Sequence, residues 1–382
     1  MASTGLFAVL IAIGTIIATI AIIATNCGSN PAFNQVHLTG GSVQVAVVGG
    51  LEVVVVGEDG HAWIIDTDAG RKAGELMMVS GSVQLLTNQE AWLMYVLSQG
   101  TERGVSGVIQ AINITNNHIE FAAVTGIYPV DAVIVDSMSL VLVLDQGSNG
   151  AGSLSIFDAR SGVSVGKVTV GAHPAAVAVD ESGALAIVAN YVDDSLTLVD
   201  LRNPEAPATV EFGPYPGRLA MVFADSEQSR VAAVELSPRT LEGEEGEGRL
   251  WLVNTETRTV EGKVEITNPV AAELEPRSHL LLIGSAVGDT GHVTGIDITS
   301  GAVRLETPVP VAPSELLIDP VRGTVLAMSY KRGSGSLLNT ANGNFMCALP
   351  LTNGVVAGAL NSTKGTLVLV APPKVFEVKA TC

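Results

Sequence analysis

A short pattern recurs seven times along the chain, and it limits the possible folds more than any other feature of the sequence. In each copy an apolar run of strand length ends in Asp or Asn and is followed by a turn. The residues that end these runs are Asp66, Asn113, Asp158, Asp200, Asn254, Asp297 and Asn339. Successive copies are 47, 45, 42, 54, 43 and 42 residues apart. The chain is therefore built from repeats of about 42 residues.

Each repeat contains four short apolar runs, which predicts four strands. Residues 173–201 show three of them, "AAVAVD", "ALAIVAN" and "SLTLVDL", and "ATVEFG" supplies the fourth. Val, Ile, Ala, Leu and Gly dominate the composition and aromatic residues make up only 4%, which favours short strands joined by tight turns. A four-stranded sheet cannot bury both faces alone, so such sheets stack around a ring. The repeat length predicts an all-β propeller rather than a solenoid of shorter repeats.

The number of blades follows from how the repeats fill the chain. Seven complete units occupy residues 41–351, and residues 353–382 supply three more strands without a fourth. Residues 32–40, "AFNQVHLTG", read as a separate strand that joins the last blade and closes the ring. We therefore predict a propeller domain over residues 28–382 with eight blades, and seven blades as the alternative.

The quoted repeat resembles a known family of propeller repeats. "HPAAVAVDESGALAIVANYVDDSLTLVDL" is similar to the YVTN repeat: a Pro at the start, an apolar strand, a short Asp/Ser/Gly turn, a strand ending near Ala-Asn, and a strand closing on Val-Asp. The match is close over residues 171–201 and looser over the rest of residues 41–380. The resemblance implies a propeller but no particular activity, because propellers host many unrelated sites.

Residues 1–27 differ from the repeats in kind. Leu6 to Thr25 forms a run of twenty residues without a charge. As a helix this run is about 30 Å long, which matches the hydrocarbon thickness of a bilayer. It lacks the basic start and cleavage site of a secretory signal. We therefore predict an uncleaved N-terminal hydrophobic α-helix that anchors the chain in a membrane.

The same segment carries a possible packing face. Ala8, Ala12, Thr15 and Thr19 fall on one side of the predicted helix, and small residues let helices approach closely. An apolar N-terminal helix followed by a β-rich domain resembles the plan of type IV pilins and archaellins. The segment lacks their basic residue before the cleavage point and their early Glu. Residues 6–25 are therefore predicted to contact either membrane or copies of themselves.

Cysteines and sequons point to an extracytoplasmic domain. If residues 32–40 pair with the last strand, Cys382 comes close to Cys27, and we predict a disulfide between them. The alternatives are Cys347 as a competing partner, and a Cys27 that is lipid-anchored or a free thiol. A disulfide implies an oxidising compartment. Asn113 and Asn361 begin N-x-S/T sequons and are the candidate glycosylation sites. The predicted localisation is the cell surface.

The charge balance and the lack of catalytic motifs limit the classes of function that are expected. With 38 acidic and 20 basic side chains, the net charge is −18, so nucleic acid is not expected as a partner. No catalytic constellation, cofactor motif or metal-ligand spacing emerges, and the six histidines occupy unrelated positions in the repeats. The expectation is therefore a protein that is not an enzyme and has no cofactor.

Loop lengths indicate where a partner binds. The connections between second and third strands are long and unlike one another, as in "SQGTERGVSG" and "SPRTLEGEEGEG". In a propeller they share one face, and long loops on a rigid scaffold are common binding sites. The leading hypothesis is a surface interaction or adhesion module that binds a protein or glycan there. The alternatives are a pilin-like subunit of a filament or surface assembly, and a small-molecule enzyme at the propeller axis.

Overall fold

The structure is a computed structural model, and it describes residues 43–380 with short gaps at 49–51, 58, 67, 70, 89–91, 100–103, 213–217, 237–245, 352–353 and 372–373. Within these residues no helix is long and apolar enough to cross a bilayer. The predicted N-terminal helix, its packing residues Ala8, Ala12, Thr15 and Thr19, and strand 32–40 lie outside the described residues.

The described chain forms eight antiparallel sheets, seven with four strands and one with three. Blades 1 to 4 comprise β1 Val43–Val48, β2 Glu52–Gly57, β3 His61–Asp66, β4 Arg71–Met77; β5 Ser82–Asn88, β6 Leu93–Ser98, β7 Ser106–Asn113, β8 His118–Ile127; β9 Pro129–Val135, β10 Leu140–Asp145, β11 Ala151–Asp158, β12 Ser164–Ala172; β13 Pro174–Asp180, β14 Leu185–Asn190, β15 Ser195–Asp200, β16 Ala208–Glu211. Blades 5 to 8 comprise β17 Arg218–Asp225, β18 Arg230–Leu236, β19 Glu247–Asn254, β20 Thr259–Thr267; β21 Pro269–Glu275, β22 Leu280–Val287, β23 Thr290–Asp297, β24 Val303–Val309; β25 Glu315–Asp319, β26 Thr324–Ser329, β27 Ser334–Asn339, β28 Phe345–Pro350; β29 Ala357–Asn361, β30 Thr366–Ala371, β31 Lys374–Lys379. One 3-10 turn, Asp136–Met138, links β9 to β10.

Eight sheets confirm the predicted eight-bladed propeller and set aside the alternative of seven. The first strand of blade 8, β29, lies beside the first strand of blade 1, β1, so the two ends of the array meet. Val55 and Ile65 of blade 1 pack with Val368 and Val370 of blade 8 in one buried cluster. The sheets therefore form a ring rather than an open row.

The burial of each strand follows from its place in the blade. The second and third strands are mostly apolar, and β10 and β14 are buried on both faces because the neighbouring blades cover them. The outer strands β8 and β20 alternate exposed and half-buried residues along most of their length. Between blades 3 and 4, Leu142, Leu154 and Val188 belong to one hydrophobic cluster. The core is thus a set of clusters between blades.

The Asp and Asn residues that revealed the repeat close the turns between third and fourth strands. The Oδ1 atom of Asp158 accepts the backbone N–H groups of Arg160 and Ser161 at 3.1 and 2.8 Å. Asp297 and Asn339 accept the corresponding N–H groups in blades 6 and 7. An Asp or Asn side chain can substitute for a backbone carbonyl in this way, which explains why the repeat preserves them.

A second regular contact joins neighbouring blades, and our sequence analysis did not find it. A glycine early in the third strand lies against the proline that starts the next blade. The pairs are Gly107 with Pro129, Gly152 with Pro174, Gly248 with Pro269, and Gly291 with Pro313. A Cβ atom at Gly152 would lie 2.5 Å from the Pro174 ring, so the backbone of one blade and the ring of the next touch directly.

The structure corrects the predicted disulfide. Cys347 in β28 is disulfide-bonded, and its partner lies outside the described residues. The chain has three cysteines and each sulfur forms one disulfide, so a bond at Cys347 excludes the predicted Cys27–Cys382 bond within one chain. The alternative left open in the sequence analysis, Cys347 as a competing partner, therefore replaces it.

We expect the partner of Cys347 to be Cys382. Cys347 packs against the hydrophobic cluster between blades 7 and 8, and that cluster includes Ala380, two residues before Cys382. Disulfide formation needs Cα atoms about 4.4–6.8 Å apart, which a residue so close to Ala380 can satisfy. Peptide mapping of the unreduced protein should yield a Cys347–Cys382 peptide. A Cys27–Cys347 peptide would contradict this assignment.

Candidate functional site

The strand order divides the ring into two unlike faces. We call "turn face" the side that carries the connections between first and second and between third and fourth strands, and "loop face" the side that carries the connections between second and third strands and the start of each blade. The Asp and Asn turns described above are all on the turn face. Connections such as 146–150, 191–194 and 330–333 are on the loop face. Two of the long predicted loops, 98–107 and 237–248, include the gaps 100–103 and 237–245 of the described chain.

The start of each blade on the loop face has a strained but repeated geometry. Tyr128, His173 and Asn268 adopt φ angles of 56°, 47° and 41°, in the left-handed region that bulky residues rarely occupy. Their carbonyl oxygens accept backbone N–H groups from the end of the second strand; for Tyr128 the donor is Gln146, at 2.9 Å. The strain is therefore imposed by the blade junction, and it holds these side chains on the loop face.

Several buried polar atoms without a hydrogen-bond partner lie on this face in blades 3 and 4. Within the described residues, four of these atoms are Asp145 Oδ1, Asn190 Oδ1, His173 Nδ1 and Asp194 Oδ1, and others, such as Ser82 Oγ and Ser336 Oγ, lie in blades 2 and 7. Asp145 and Asn190 are fully buried at the ends of β10 and β14, where their other polar atoms bond Ser155 and Thr197. On the turn face, two such atoms, Asn117 Oδ1 and Arg230 Nε, lie in separate blades. Native proteins leave few buried polar groups unpaired, so these atoms call for an explanation.

A charged cluster lies next to these atoms, where blade 4 meets blade 5. The guanidinium of Arg218 is 5.9 Å from the centre of the Tyr191 ring, a cation–π distance. Burial, and then the charge of Glu235, raise the pKa of Asp194 to about 7, although Arg218 opposes the shift. Glu235 in turn accepts a 2.7 Å hydrogen bond from the indole N–H of Trp251. This corner of the loop face therefore combines aromatic, cationic and carboxylic groups.

The axis of the ring is bordered by the first strands, and side chains bridge them from blade to blade. Gln84 in β5 accepts the N–H of Ala132 at 2.6 Å and donates to its carbonyl oxygen at 3.2 Å. Asp131 in β9 accepts the N–H of Val177 at 2.8 Å. Gln44 in β1 donates to the carbonyl of Val83. Gln44 and Gln84 belong to the repeated "GSVQ" sequence, whose bridging role was not predicted.

Acidic groups near the axis have raised pKa values. Glu315 holds the position in β25 that Gln84 holds in β5, and Tyr330 donates its hydroxyl to it. Burial raises the pKa of Glu315 to about 7, and burial together with the charge of Glu315 raises that of Glu273 to about 7. Burial also raises the pKa of Asp131 to about 6. Glu273 remains solvent-exposed within the channel, so its shift contributes less to stability than a fully buried group's would.

These shifts predict that the propeller is more stable at mildly acidic pH. A carboxyl group with a raised folded-state pKa binds its proton more tightly in the folded chain, so its stabilisation is present at low pH and is lost as pH rises from about 4 to 7. We expect the urea midpoint to be higher at pH 5 than at pH 8, by about 1 kcal/mol or more in unfolding free energy. Glu273→Gln combined with Glu315→Gln should flatten the dependence. A midpoint that rises with pH would contradict this prediction.

Other sites predicted from sequence have mixed outcomes. The side chain of Asn361 is 1% exposed and its oxygen accepts the Lys364 N–H, so a glycan does not fit there in the folded domain. Asn113 is half-buried in a turn, and its glycosylation stays a prediction. His173 lies at the start of blade 4, between β12 and β13. Within the described chain, no group of three or more His, Cys, Asp and Glu residues is placed to hold a metal ion.

Two surface grooves lie away from the axis. An open apolar groove of about 490 Å³ lies at the rim between blades 6 and 7, lined by Pro308, Pro310 and Phe345 among others. A smaller polar groove of about 290 Å³ lies on the turn face between blades 4 and 5, beside Asp180 and Thr255. The Thr255 hydroxyl donates to Asp180 at 2.9 Å. Neither groove includes the unpartnered atoms of the loop face.

Comparison with solved structures supports the propeller fold and does not extend to function. NirN, a dihydro-heme d1 dehydrogenase solved in complex with DHE, matches with a TM-score of 0.65 and 13% identity, over 92% of this chain and 72% of its own. BamB from Moraxella catarrhalis matches with a TM-score of 0.60 and 14% identity, over 89% of this chain and 98% of its own. Hydrazine synthase of Kuenenia stuttgartiensis matches with a TM-score of 0.59 and 12% identity, over 78% of this chain and 95% of its own.

Comparison with known sequences does not assign the chain to a family. No family model matches the chain, and no curated protein matches it significantly. The resemblance to YVTN repeats therefore rests on the residues quoted above. The structural neighbours include two proteins named as enzymes, so they do not decide whether this chain is one. The class of protein defined by the fold is an eight-bladed β-propeller.

Proposed function

We propose that the protein is a membrane-anchored, extracytoplasmic interaction or adhesion module that binds a protein or glycan partner with the loop face of blades 3 to 5. One observation carries the proposal: four buried polar atoms without a partner, in Asp145, His173, Asn190 and Asp194, lie close to this part of the loop face. An unpaired buried polar group costs about 1–3 kcal/mol. Because these atoms have no access to solvent, a partner contacts the exposed residues beside them on the loop between β14 and β15, Val192 and Asp193.

The chemistry of the four atoms narrows the kind of partner. Three of them are carboxylate or amide oxygens, which accept hydrogen bonds. The chain also carries a net charge of −18. The matching partner surface therefore presents donors, either the hydroxyl groups of a glycan or the amide, ammonium and guanidinium groups of a protein. Complementary charge also accelerates the encounter with a basic partner.

The cellular location in this proposal is supported by two features. Residues 6–25 are apolar and long enough to span a bilayer as a helix. Cys347 is disulfide-bonded, and structural disulfides are typical of oxidising compartments outside the cytoplasm. Flotation with phosphatidylcholine vesicles tests the anchor: full-length protein should float with the vesicles, and protein that stays in the soluble fraction would refute membrane anchoring.

The binding surface is tested by a matched pair of variants. Val192 is 38% exposed on the loop face of blade 4, and Val321 is 62% exposed on the turn face of blade 7. We expect fluorescently labelled protein to bind intact cells of the source organism, with Val192→Lys reducing binding several-fold and Val321→Lys leaving it unchanged. Equal effects of the two substitutions, or no binding by the unmodified protein, would refute the loop face as the interaction surface.

A pilin-like assembly is the first alternative, and it is favoured by the small residues Ala8, Ala12, Thr15 and Thr19 along one side of the predicted N-terminal helix. In that case residues 6–25 bundle in a filament core and the propellers decorate its surface. Negative-stain images separate the two ideas, because filaments support the alternative and single rings support the anchored module.

A small-molecule enzyme at the axis is the second alternative. Its support is the pair Glu273 and Glu315, whose pKa values of about 7 suit proton transfer near neutral pH. Native mass spectrometry of the protein purified from its source would favour this role if a small molecule co-purified and was lost in Glu273→Gln. Protein purified without such a molecule would favour the interaction module.

A further inference from the structure

We propose that β28, the outer strand of blade 7, is a dimerisation edge that pairs antiparallel with the same strand of a second copy of the chain. The residues that form this surface are Phe345, Met346, Ala348 and Pro350, and we call them the apolar edge. They lie on the rim of the ring and not on its loop face. The proposal therefore goes beyond the proposed function and does not depend on it.

The first support is the absence of charge in β28. Its sequence is FMCALP, whereas each of the other six outer strands in the described chain carries at least one Lys, Arg or Glu. Lys167 in β12 and Glu265 in β20 are examples. Charged side chains, Lys above all, are the usual protection of an exposed strand edge against pairing with another chain. β28 lacks this protection.

The second support is the exposure of the apolar edge. Phe345 is 44% and Met346 48% exposed, and the other two members of the edge are also exposed. The alternate residues Cys347 and Leu349 pack instead against the cluster between blades 7 and 8. Phe345 also lines the apolar groove of about 490 Å³ between blades 6 and 7. Edge and groove thus form one continuous apolar surface, and such surfaces typically mark interaction sites.

The backbone of β28 is suited to a further strand. The N–H of Leu351 donates to the carbonyl oxygen of Gly333 at 3.0 Å, so residues 347, 349 and 351 direct their backbone groups towards β27. Met346, Ala348 and Pro350 therefore direct theirs outward, where no described strand pairs with them. Proline in a sheet is confined to positions whose N–H would point away from the ladder. The outward groups of Met346 and Ala348 can bond an antiparallel partner strand.

Two charged residues flank the two ends of β28. Glu306 in β24 is exposed near the start of β28, since the adjacent Thr307 hydroxyl donates to the carbonyl oxygen of Gly343 at 2.5 Å. Lys331 is exposed near the end of β28, two residues before Gly333. Neither Glu306 nor Lys331 forms an ion pair within the described part of the chain.

These charges identify the occupant as a second copy. In an antiparallel pair of β28 strands, the start of each strand lies beside the end of the other. Glu306 therefore comes close to Lys331 of the partner subunit, and the two-fold symmetry repeats the contact. The strand between these charges is uncharged, so pairing buries no unpaired charge.

The edge is tested by sedimentation velocity of the full-length protein in detergent, at about 0.15 M ionic strength, where charges more than about 8 Å apart are screened. One strand pair and a groove make a small interface, so we expect a reversible dimer with a Kd of about 1–100 μM. Met346→Lys should weaken it at least about tenfold, because Lys protects a strand edge. Val165→Lys, at a residue that is 57% exposed in β12, is the matched control and should leave the Kd unchanged. Protein that stays monomeric, or equal Kd values for Met346→Lys and the unmodified protein, would overturn the proposal.

The antiparallel arrangement is tested by exchanging the two charges. Glu306→Lys and Lys331→Glu each place like charges opposite one another, so each should weaken the dimer several-fold. The double variant restores opposite charges and should return the Kd to within about twofold of the unmodified value. A double variant that is weaker than both single variants would overturn the antiparallel pairing.

Hydrogen exchange measured by mass spectrometry tests the same edge without a substitution. The outward N–H groups of Met346 and Ala348 should exchange several-fold more slowly in the dimer than in dilute, monomeric protein. A peptide from β12 should exchange equally in both. Equal exchange of the β28 peptide in dimer and monomer would show that the copies meet elsewhere.

Other occupants give different results. Dimers held together by residues 6–25 would persist in Met346→Lys. If the unmodified protein were monomeric and Met346→Lys reduced its flotation with phosphatidylcholine vesicles, the edge would bind lipid, and the proposed dimer would be wrong. Val192→Lys, the variant that tests the loop face, should dimerise normally. A failure of the dimer is therefore distinguishable from a failure of the proposed function.

Discussion

Replacing Trp251 with alanine should destabilise the domain by about 3–5 kcal/mol, the usual range for removing a large buried aromatic ring. Trp251 is 9% exposed in the cluster between blades 4 and 5, and its ring centre is 5.0 Å from that of Phe212. Its indole N–H also donates a 2.7 Å hydrogen bond to the buried Glu235. The substitution therefore removes packing and a charge-assisted hydrogen bond together. Urea unfolding followed by circular dichroism measures the loss.

Two further variants separate the contributions. Trp251→Phe keeps most of the packing and loses the hydrogen bond, so it should cost about 1–3 kcal/mol. Trp92→Ala is the control, since Trp92 is 39% exposed and belongs to no buried cluster between blades 4 and 5, and its loss of stability should be clearly smaller than that of Trp251→Ala. A Trp251→Ala protein as stable as the unmodified one would show that blades 4 and 5 do not pack as described.

Replacing Gly152 with alanine should cost about 3 kcal/mol. The added Cβ atom would lie 2.5 Å from Pro174 Cδ and 2.7 Å from the carbonyl oxygen of Gly171. Both distances are too short for contact, and neither the proline ring nor the backbone can move away easily. Blades 3 and 4 must therefore separate or distort, which is the usual penalty of overpacking. Urea unfolding measures this loss of stability, as a lower midpoint with an unchanged dependence of the unfolding free energy on urea concentration.

The matched control is Gly166→Ala in the neighbouring strand β12. A Cβ atom there would lie 3.5 Å from Ile156 Cδ1, an ordinary van der Waals distance. Alanine at Gly166 also restricts the unfolded chain, so the substitution should be neutral or slightly stabilising. Equal losses for the two variants would show that the contact between Gly152 and Pro174 is not what makes glycine necessary at residue 152.

The sequence allowed the fold to be predicted because its repeat has local causes. Blades 1 to 7 each end their third strand with an Asp or Asn, and its side chain closes the next turn, as Asp158 does. Such a residue can be recognised from the sequence alone. The contact of Gly152 with Pro174 also has a regular spacing, 22 residues in this pair and in Gly107 with Pro129. That spacing was available as a signal and was overlooked.

The candidate site was harder to predict because its residues share no motif. Asp145 and Asn190 hold equivalent places at the ends of β10 and β14, but they are different residue types. What sets them apart from other polar residues is a buried side-chain oxygen that has no hydrogen-bond partner. Burial, and then the charge of Glu235 from the next blade, raise the pKa of Asp194, and both arise only when the blades assemble. The disulfide was mispredicted for a similar reason, since the packing of Cys347 beside Ala380 depends on how blades 7 and 8 meet.

End-on particle images of the full-length protein by electron cryomicroscopy test the central claim most directly. We expect a closed ring of eight lobes, because eight sheets are described and the first strands of blades 1 and 8 lie side by side. A ring of seven lobes, or an open arc with separated ends, would contradict it.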